Sequence, residues 1–152
     1  MQYPYLIAED IEMKIKYVAL ASMIALVGCS GSSLPDPSEQ QALAAQKAYD
    51  DLRLEKFDDL MNHLEPELQH YFKNNERELH KFSRNLPKVD YRTRKIVAKN
   101  QQEDSAKPSK YTVTYEYGYE KNLVQYDVSF DKASGSSKIR DLNVSVFGES
   151  TK

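Results

Sequence analysis

Residues 111–130 read YTVTYEYGYEKNLVQYDVSF, and the rest of the architecture can be worked out from this segment. Apolar or aromatic residues occupy every second position on both sides of Lys121-Asn122, as in strands with one buried face. A two-residue turn there predicts a β-hairpin with four cross-strand pairs: Tyr119–Val124, Tyr117–Tyr126, Tyr115–Val128 and Val113–Phe130. All of these side chains then share one face, and the opposite face is polar: Thr112, Thr114, Gln125, Asp127 and Ser129.

Two further strands are expected beside this hairpin. Val89–Lys99 predicts the strand before it, and Gln101–Ser109 predicts a polar loop between them. After a turn at Ala133–Ser137, Leu142, Val144 and Val146 predict a last strand. Ile139 is out of phase with that strand, so we expect a β-bulge near Arg140-Asp141.

Apolar residues at helical spacing precede the strands. The first helix is expected to begin with Asp36 as its cap, Pro37 at the first position and Glu39 completing a capping box. It continues towards Leu64, as one helix or as two. A second helix is expected from Pro66 to about Leu86. The predicted fold class is α+β, with N-terminal helices packed on a curved four-stranded antiparallel sheet in a single domain, residues 38–148.

The N-terminal part of the chain is typical of an export signal. Lys14 and Lys16 precede an apolar run of eleven residues, Tyr17–Val27, which is too short to cross a bilayer as a helix. We interpret residues 13–28 as a signal peptide. Residues 1–12 carry acidic side chains where such a signal is basic, and we interpret them as a start-site artefact.

The run ends in Leu26-Val27-Gly28-Cys29, which resembles the lipobox of bacterial lipoproteins. This resemblance implies cleavage before Cys29, a diacylglycerol on its thiol and a fatty acyl chain, such as palmitate, on its amine. Ser30 stands where an Asp would favour retention in the inner membrane, so the resemblance implies a periplasm-facing outer-membrane protein. Residues 29–37 would then be the lipidated cysteine and a short tether. Cys29 is the only cysteine, which leaves no disulfide in the domain.

A second resemblance covers most of residues 36–147. The order of elements, the segment Phe57-Asp58-Asp59-Leu60-Met61, Pro-Glu-Leu at 66–68 and Ile-Arg-Asp-Leu-Asn-Val at 139–144 look like small lipoproteins of the nuclear-transport-factor-2-like (cystatin-like α+β) superfamily. Relatives of this kind include ketosteroid-isomerase-like enzymes and many non-catalytic binding domains. The resemblance therefore implies a fold, and function must come from a site.

Four tyrosines of the hairpin are the first candidates for a ligand pocket between helices and sheet: Tyr115, Tyr117, Tyr119 and Tyr126. The alternative is that they pack in the core. An isomerase-like site would need a carboxylate base in that pocket, and Asp127 is expected on the opposite face. No catalytic residue, cofactor or metal site is predicted. The three histidines, His63, His70 and His80, lie in the predicted helical region and are expected to be ordinary surface residues.

Charge is unevenly distributed along the chain. From His70 to Lys99 there are nine Lys/Arg against three acidic residues. Five of the nine form a predicted stripe on the second helix: Lys73, Arg77, Lys81, Arg84 and Lys88. Arg92, Arg94, Lys95 and Lys99 would extend it if they lie alongside. Such a stripe is either a solvated helix face or a surface for an envelope protein or another anionic envelope component. Nucleic acid is not an expected partner.

These observations predict a lipid-anchored envelope lipoprotein with a non-catalytic binding or interaction domain. The alternative is a small-molecule-binding or isomerase-like enzyme with a pocket between helices and sheet. A self-associating module is a third reading, although the polar outer face of the hairpin argues against it.

Overall fold

The computed structural model describes residues 33–149. Within this range four helices precede an open four-stranded antiparallel sheet of strand order β1-β2-β3-β4, which confirms the predicted fold class. The helices are α1 (Glu39–Arg53), α2 (Phe57–Met61), α3 (Pro66–Asn74) and α4 (Glu76–Arg84). The strands are β1 (Thr93–Asp104), β2 (Lys107–Gly118), β3 (Asn122–Phe130) and β4 (Asp141–Gly148).

The start-site, signal-peptide and Cys29 predictions concern residues outside the described range. Among residues 33–149, no helix has both the length and the apolar character that crossing a membrane requires.

The central hairpin buries the predicted face in a different register. Tyr111 pairs with Phe130, Val113 with Val128, Tyr115 with Tyr126 and Tyr117 with Val124. The turn residues are Glu120 and Lys121, one position earlier than expected, and the Tyr119 N–H donates to the Asn122 carbonyl oxygen at 2.9 Å. The predicted pairs were therefore wrong by two residues. The predicted face is right because a shift of two leaves each side chain on the same side of the sheet.

The predicted loop at Gln101–Ser109 was wrong as well. β1 continues to Asp104 and β2 begins at Lys107, so the two strands join in a tight turn. β1 also begins four residues later than expected and is irregular between Ile96 and Ala98. Both faces of this edge strand are largely exposed, as for Ile96 and Val97. Its polar sequence reflects that exposure and not the absence of a strand.

The irregularity predicted near Arg140-Asp141 lies just ahead of β4: Ser129 pairs with Asp141, and the Arg140 N–H donates to the Ser129 carbonyl oxygen at 2.8 Å. Ile139 is fully buried before it, where its N–H donates to the His63 carbonyl oxygen and its own carbonyl accepts from the Glu65 N–H, both at 2.8 Å. Ile139 thus forms an isolated parallel bridge with Leu64, and this bridge joins the helical segment to the start of the last strand.

α1 begins two residues later than Pro37, and Ser38 is its cap instead of Asp36. The Ser38 hydroxyl accepts from the Gln41 N–H, and the Gln41 side chain accepts from the Ser38 N–H, which completes a capping box. Asp36 instead accepts from Lys99 Nζ of β1 at 2.8 Å. The carboxylate that was expected to cap the helix therefore binds the Lys99 ammonium group.

The Gln41 amide is fully buried and also holds the loop after β3. Its Nε2 donates to the carbonyl oxygens of Lys132 and Ser136 at 2.9 and 3.0 Å, and its Oε1 accepts from the Ser134 N–H at 3.1 Å. Ser134 has φ +56°, a left-handed conformation that is costly for a residue with a Cβ. These hydrogen bonds hold the loop in that conformation.

The helices are shorter than the periodicity predicts. α1 ends at Arg53, where Glu55 takes φ +61° and the Lys56 N–H donates back to the Asp51 carbonyl oxygen at 2.8 Å, in the pattern of a Schellman motif. The expected second helix is divided at Asn75, whose side-chain amide donates to the Tyr71 carbonyl oxygen at 2.8 Å. An asparagine side chain competes in this way with the helical hydrogen bonds of the last turn.

Reciprocal contacts fix the end of α1 against the segment that follows α4. Arg53 is 6% exposed, and its Nη1 donates to the carbonyl oxygens of Lys88 and Val89, each at 3.1 Å. Lys88 Nζ in turn donates to the carbonyl oxygens of Arg53 and Ser83 at 2.5 and 3.0 Å. One ammonium group thereby binds a carbonyl oxygen in the last turn of each helix, and the chain is directed towards β1.

We expect Gln41→Ala to lower the free energy of unfolding by about 2 kcal/mol, because it leaves buried donors and acceptors of the loop without partners. Gln40→Ala, at the exposed neighbouring position, is the matched control and should change stability by less than about 0.5 kcal/mol. Urea unfolding of the two variants and the parent chain measures the difference. Equal effects of the two substitutions would contradict this role of Gln41.

Candidate functional site

The four predicted pocket tyrosines lie together on the inner face of the sheet, and α1 covers them. Tyr117 and Tyr126 are fully buried, and Tyr115 and Tyr119 are 2% and 9% exposed. Tyr49 of α1 stacks on Tyr117 with a ring-centroid distance of 3.7 Å and an interplanar angle of 14°. The tyrosine rings are therefore core packing, which was the alternative considered for them.

The tyrosine hydroxyls are less well accommodated than their rings. The Tyr119 and Tyr49 hydroxyls share a hydrogen bond at 2.7 Å. Three others are buried without a hydrogen-bond partner in the described structure: Tyr115, Tyr117 and Tyr126. Burial raises the pKa of all three, since the phenolate would lose its hydration. They stay neutral donors, and a buried hydroxyl without a partner costs free energy.

Arg94 of β1 reaches over these rings from the edge of the sheet. Its guanidinium carbon lies 4.4 Å from the Tyr115 ring centroid and 6.0 Å from that of Tyr117. Nη2 donates to the Ala42 carbonyl oxygen at 3.0 Å and Nη1 to Gln46 Oε1 at 3.3 Å. Its Nε is buried and has no partner among the described residues. Arg94 thus ties α1 to β1 by contacts to neutral groups.

A small cleft opens beside Arg94 and Tyr115, between the first turns of α1 and the edge strand. Its volume is about 220 Å³. Pro37, Ala42 and Ile96 give it an apolar lining. Two charged side chains also line it: Asp36, which is held by Lys99, and Lys95, which pairs with Glu116. Arg94 was expected only among the surface cations. An arginine at an inward position of an aromatic strand pair was the signal that could have singled it out.

A second groove, of about 340 Å³, lies among α2, α3 and α4. Phe57, Met61, Phe72 and Leu79 supply its apolar part, and charged side chains that include Lys73 and Glu76 flank them. The His80 ring meets the Phe57 ring edge-on at 4.9 Å. This groove was not predicted, because α3 and α4 were expected to form one continuous helix.

The predicted basic stripe is only partly brought together. Arg77, Lys81 and Arg84 of α4 line one shallow surface depression of about 500 Å³. Lys81 Nζ lies 3.8 Å from Glu78. Lys73 belongs to α3, beyond the break at Asn75, and Lys88 points its ammonium into the contact with Arg53 and Ser83 described above. The five side chains do not form one stripe, because the helix that would carry them is broken.

The remaining titratable candidates do not converge on the tyrosine face. His63 pairs with Asp51 at 3.3 Å, and His70 contacts the Asn74 amide at 3.0 Å. Asp127 lies on the outer face, where it accepts from the Thr114 hydroxyl at 2.6 Å. In residues 33–149, no three His, Cys, Asp or Glu side chains are grouped so that they could hold a metal ion.

Comparisons of the chain with protein-family models, with curated proteins and with solved structures gave no match. The resemblance to nuclear-transport-factor-2-like lipoproteins therefore stays a prediction.

We expect Tyr126→Phe to raise the free energy of unfolding by about 1 kcal/mol, because it removes a buried hydroxyl that has no partner. Tyr119→Phe is the matched comparison and should lower stability by about 1 kcal/mol, since it leaves the Tyr49 hydroxyl unpaired. Chemical unfolding of both variants tests the pair. A loss of stability in Tyr126→Phe as large as that in Tyr119→Phe would show that the Tyr126 hydroxyl is hydrogen-bonded.

The Glu55 carboxylate accepts from Lys88 Nζ and from the Ser83 hydroxyl, each at 3.1 Å, and these hydrogen bonds lower its pKa. The resulting stabilisation is present above the ordinary pKa of a glutamate and is lost as the pH falls through the lowered value. We expect Lys88→Met to raise the pKa of Glu55, as followed by NMR of its side-chain carboxyl carbon. An unchanged pKa would mean that the Lys88 contact does not form in solution.

Proposed function

We propose that this chain is a lipid-anchored lipoprotein of the outer membrane, facing the periplasm, whose domain binds a ligand or partner and does not catalyse a reaction. The anchor is supported by one observation above all, the Gly28-Cys29 pair at the end of an eleven-residue apolar run that follows two lysines. One thioether-linked diacylglycerol and one amide-linked acyl chain would hold the protein stably, where a single chain would not.

The beginning of the domain supports a position close to the membrane. Leu34 packs against the core, the Tyr111 hydroxyl donates to the Pro35 carbonyl oxygen at 2.6 Å, and Lys99 Nζ contacts both Leu34 and Asp36. The tether was predicted to extend to residue 37, but residues 34–36 are fastened to β1 and β2. Four residues, Ser30 to Ser33, then separate Cys29 from the fastened segment. An extended chain spans at most about 3.6 Å per residue, so a lipidated Cys29 would keep the domain near the headgroups.

Binding is favoured over catalysis by the places that the carboxylates occupy. An isomerase-like mechanism needs a carboxylate base inside the cavity, beside a donor for the developing oxyanion. At the cleft the carboxylate is Asp36, whose side chain is 78% exposed and paired with Lys99. The Asp90 side chain is 98% exposed beside Arg53, and Asp127 lies on the outer face. The enzyme alternative remains a hypothesis: burial raises the pKa of Asp51, but Asp51 pairs with His63 and neither lines the Arg94 cleft.

Two resources for binding are present on the domain. One is the Arg94 cleft, where polar atoms without partners meet an apolar lining. The other is the depression lined by Arg77, Lys81 and Arg84 together with Glu55 and Glu78. Its excess of cations would suit an acidic envelope protein or another anionic envelope component. The order of helices before a four-stranded sheet supports a nuclear-transport-factor-2-like binding domain, a fold in which many members do not catalyse.

We expect Cys29→Ser to move the protein from the membrane fraction to the soluble fraction, because the thiol that would accept the lipid is gone. Ser30→Asp is the matched control: it keeps the lipid and should move the protein from the outer to the inner membrane. Fractionation of cells that express each variant, with a density gradient to separate the two membranes, measures both effects. A Cys29→Ser protein that still sediments with membranes would contradict the anchor.

A further inference from the structure

Ion pairing sets Arg94 apart from the other shielded cations. Within residues 33–149, five Lys or Arg side chains belong to residues that are buried or half-buried: Arg53, Arg94, Lys99, Lys110 and Arg140. Four of these five have a carboxylate oxygen within ion-pair distance, from Asp50, Asp36, Asp141 and Glu65 respectively. Arg94 has none among the described ion pairs. Its hydrogen-bond acceptors are a carbonyl and an amide oxygen.

A shielded cation without an anion is costly. Removing a charge from water is compensated only when opposite charge or several hydrogen bonds replace the lost hydration. The Tyr115 ring face at 4.4 Å supplies a cation–π contact, which offsets part of that cost. Arginine has five N–H groups, and the described hydrogen bonds of Arg94 use two of them. The others include the buried Nε–H.

A second polar atom without a partner lies at the same place. The Tyr115 hydroxyl is buried, and Tyr115 lines the same cleft as Arg94. A neutral phenol donates a hydrogen bond readily to an anion. Arg94 and Tyr115 thus present uncommitted N–H and O–H donors at the cleft, and an anion is the chemical group that would accept from both.

The geometry points to a binding site for a small monocarboxylic acid with an aliphatic body, its carboxylate held by Arg94 and Tyr115 and its alkyl part against Pro37, Ala42 and Ile96. The planar guanidinium fork matches the two oxygens of a carboxylate. A cleft of about 220 Å³ is smaller than the pockets that hold drug-sized ligands, so the acid must be short. One unpaired cation beside the Asp36 carboxylate balances a monoanion better than a phosphate dianion.

Both donors are shielded from solvent, so a ligand can reach them only if a covering group moves. The cleft is bordered by Asp36 and Pro37, which follow the segment fastened by Lys99 and Tyr111. A displacement of this segment would widen the cleft and would break the hydrogen bonds that Tyr111 and Lys99 make to it. The inference deepens the binding role proposed above, and it is independent of the lipid anchor.

The test uses the full chain in a non-ionic detergent, with hexanoate as the probe and hexan-1-ol as its uncharged counterpart. Titration calorimetry and ¹⁵N NMR should show hexanoate binding, with shifted amide signals centred on Ala42, Ile96 and Tyr115. Hexan-1-ol should bind at least about tenfold more weakly, because it lacks the charge that Arg94 recognises. No binding of hexanoate at millimolar concentrations, or equal binding of the alcohol, would overturn the inference.

Three variants locate the site. Arg94→Gln should weaken hexanoate binding at least about tenfold, and Tyr115→Phe should weaken it less, since it removes one neutral donor. Arg92→Gln is the matched control, because Arg92 lies two residues before Arg94, pairs with Glu120 and does not line the cleft. It should bind as the parent does. Retained affinity in Arg94→Gln, or an equal loss in Arg92→Gln, would overturn the assignment.

Thermal unfolding separates a lost site from a lost fold. Hexanoate should raise the Tm of the parent chain and of Arg92→Gln, and leave that of Arg94→Gln unchanged. If Arg94→Gln does not fold, Tyr115→Phe carries the test, and unweakened binding there overturns the inference. A Cys29→Ser chain that leaves the membrane but still binds hexanoate would support both proposals. A chain that stays membrane-bound and binds would contradict only the anchor.

Discussion

The burial of one aromatic strand face beneath a single helix is the constraint on which the rest of the structure depends. α1 lays Ala45, Ala48, Tyr49 and Leu52 on the inward side chains of β2 and β3, and all four are fully buried. The stacking of Tyr49 on Tyr117 fixes the position of the helix along the sheet. Its two ends are then secured separately, by Gln41 to the loop after β3 and by Arg53 to the segment before β1.

Because that face is built from tyrosine, it carries polar atoms into the core. Phenylalanine at the same positions would bury similar area without hydroxyls that need partners. The Tyr49–Tyr119 pair solves this for two of the hydroxyls. Towards β1 the cover thins, since that strand is exposed on both faces, and there Arg94 and the Tyr115 hydroxyl are left with unused hydrogen-bonding capacity. The cleft lies beside the part of the aromatic layer that α1 does not cover.

The buried faces, which repeat with a regular period along the sequence, were predicted correctly. Features that depend on contacts between residues far apart in the sequence were not. Alternation identified the buried face of β2 and β3, but a two-residue change of register preserves that alternation, so the pairing was beyond it. The side chains of Asp36 and Ser38 can both cap a helix. The Asp36 carboxylate binds Lys99, which is far away in sequence, and Ser38 is the cap of α1. Asn75 was predicted to lie on the apolar face of one helix. In the structure its side chain donates to the Tyr71 carbonyl oxygen and the helix is divided there. Arg94 differs from the other shielded cations because none of the described carboxylates pairs with it. Spacing along the chain does not reveal this.

The bridge between Leu64 and Ile139 and the hydrogen bonds from Gln41 to the loop after β3 join residues about half the chain or more apart. Neither the first turn of α1 nor the link after α2 is complete until the third strand and the turn after it exist. Non-local contacts of this kind raise the contact order of the domain, which slows folding. Under the export proposed above, the consequence would be kinetic. The portion that emerged first would have no finished partner surface, and it would remain unfolded until nearly all of the sequence had crossed.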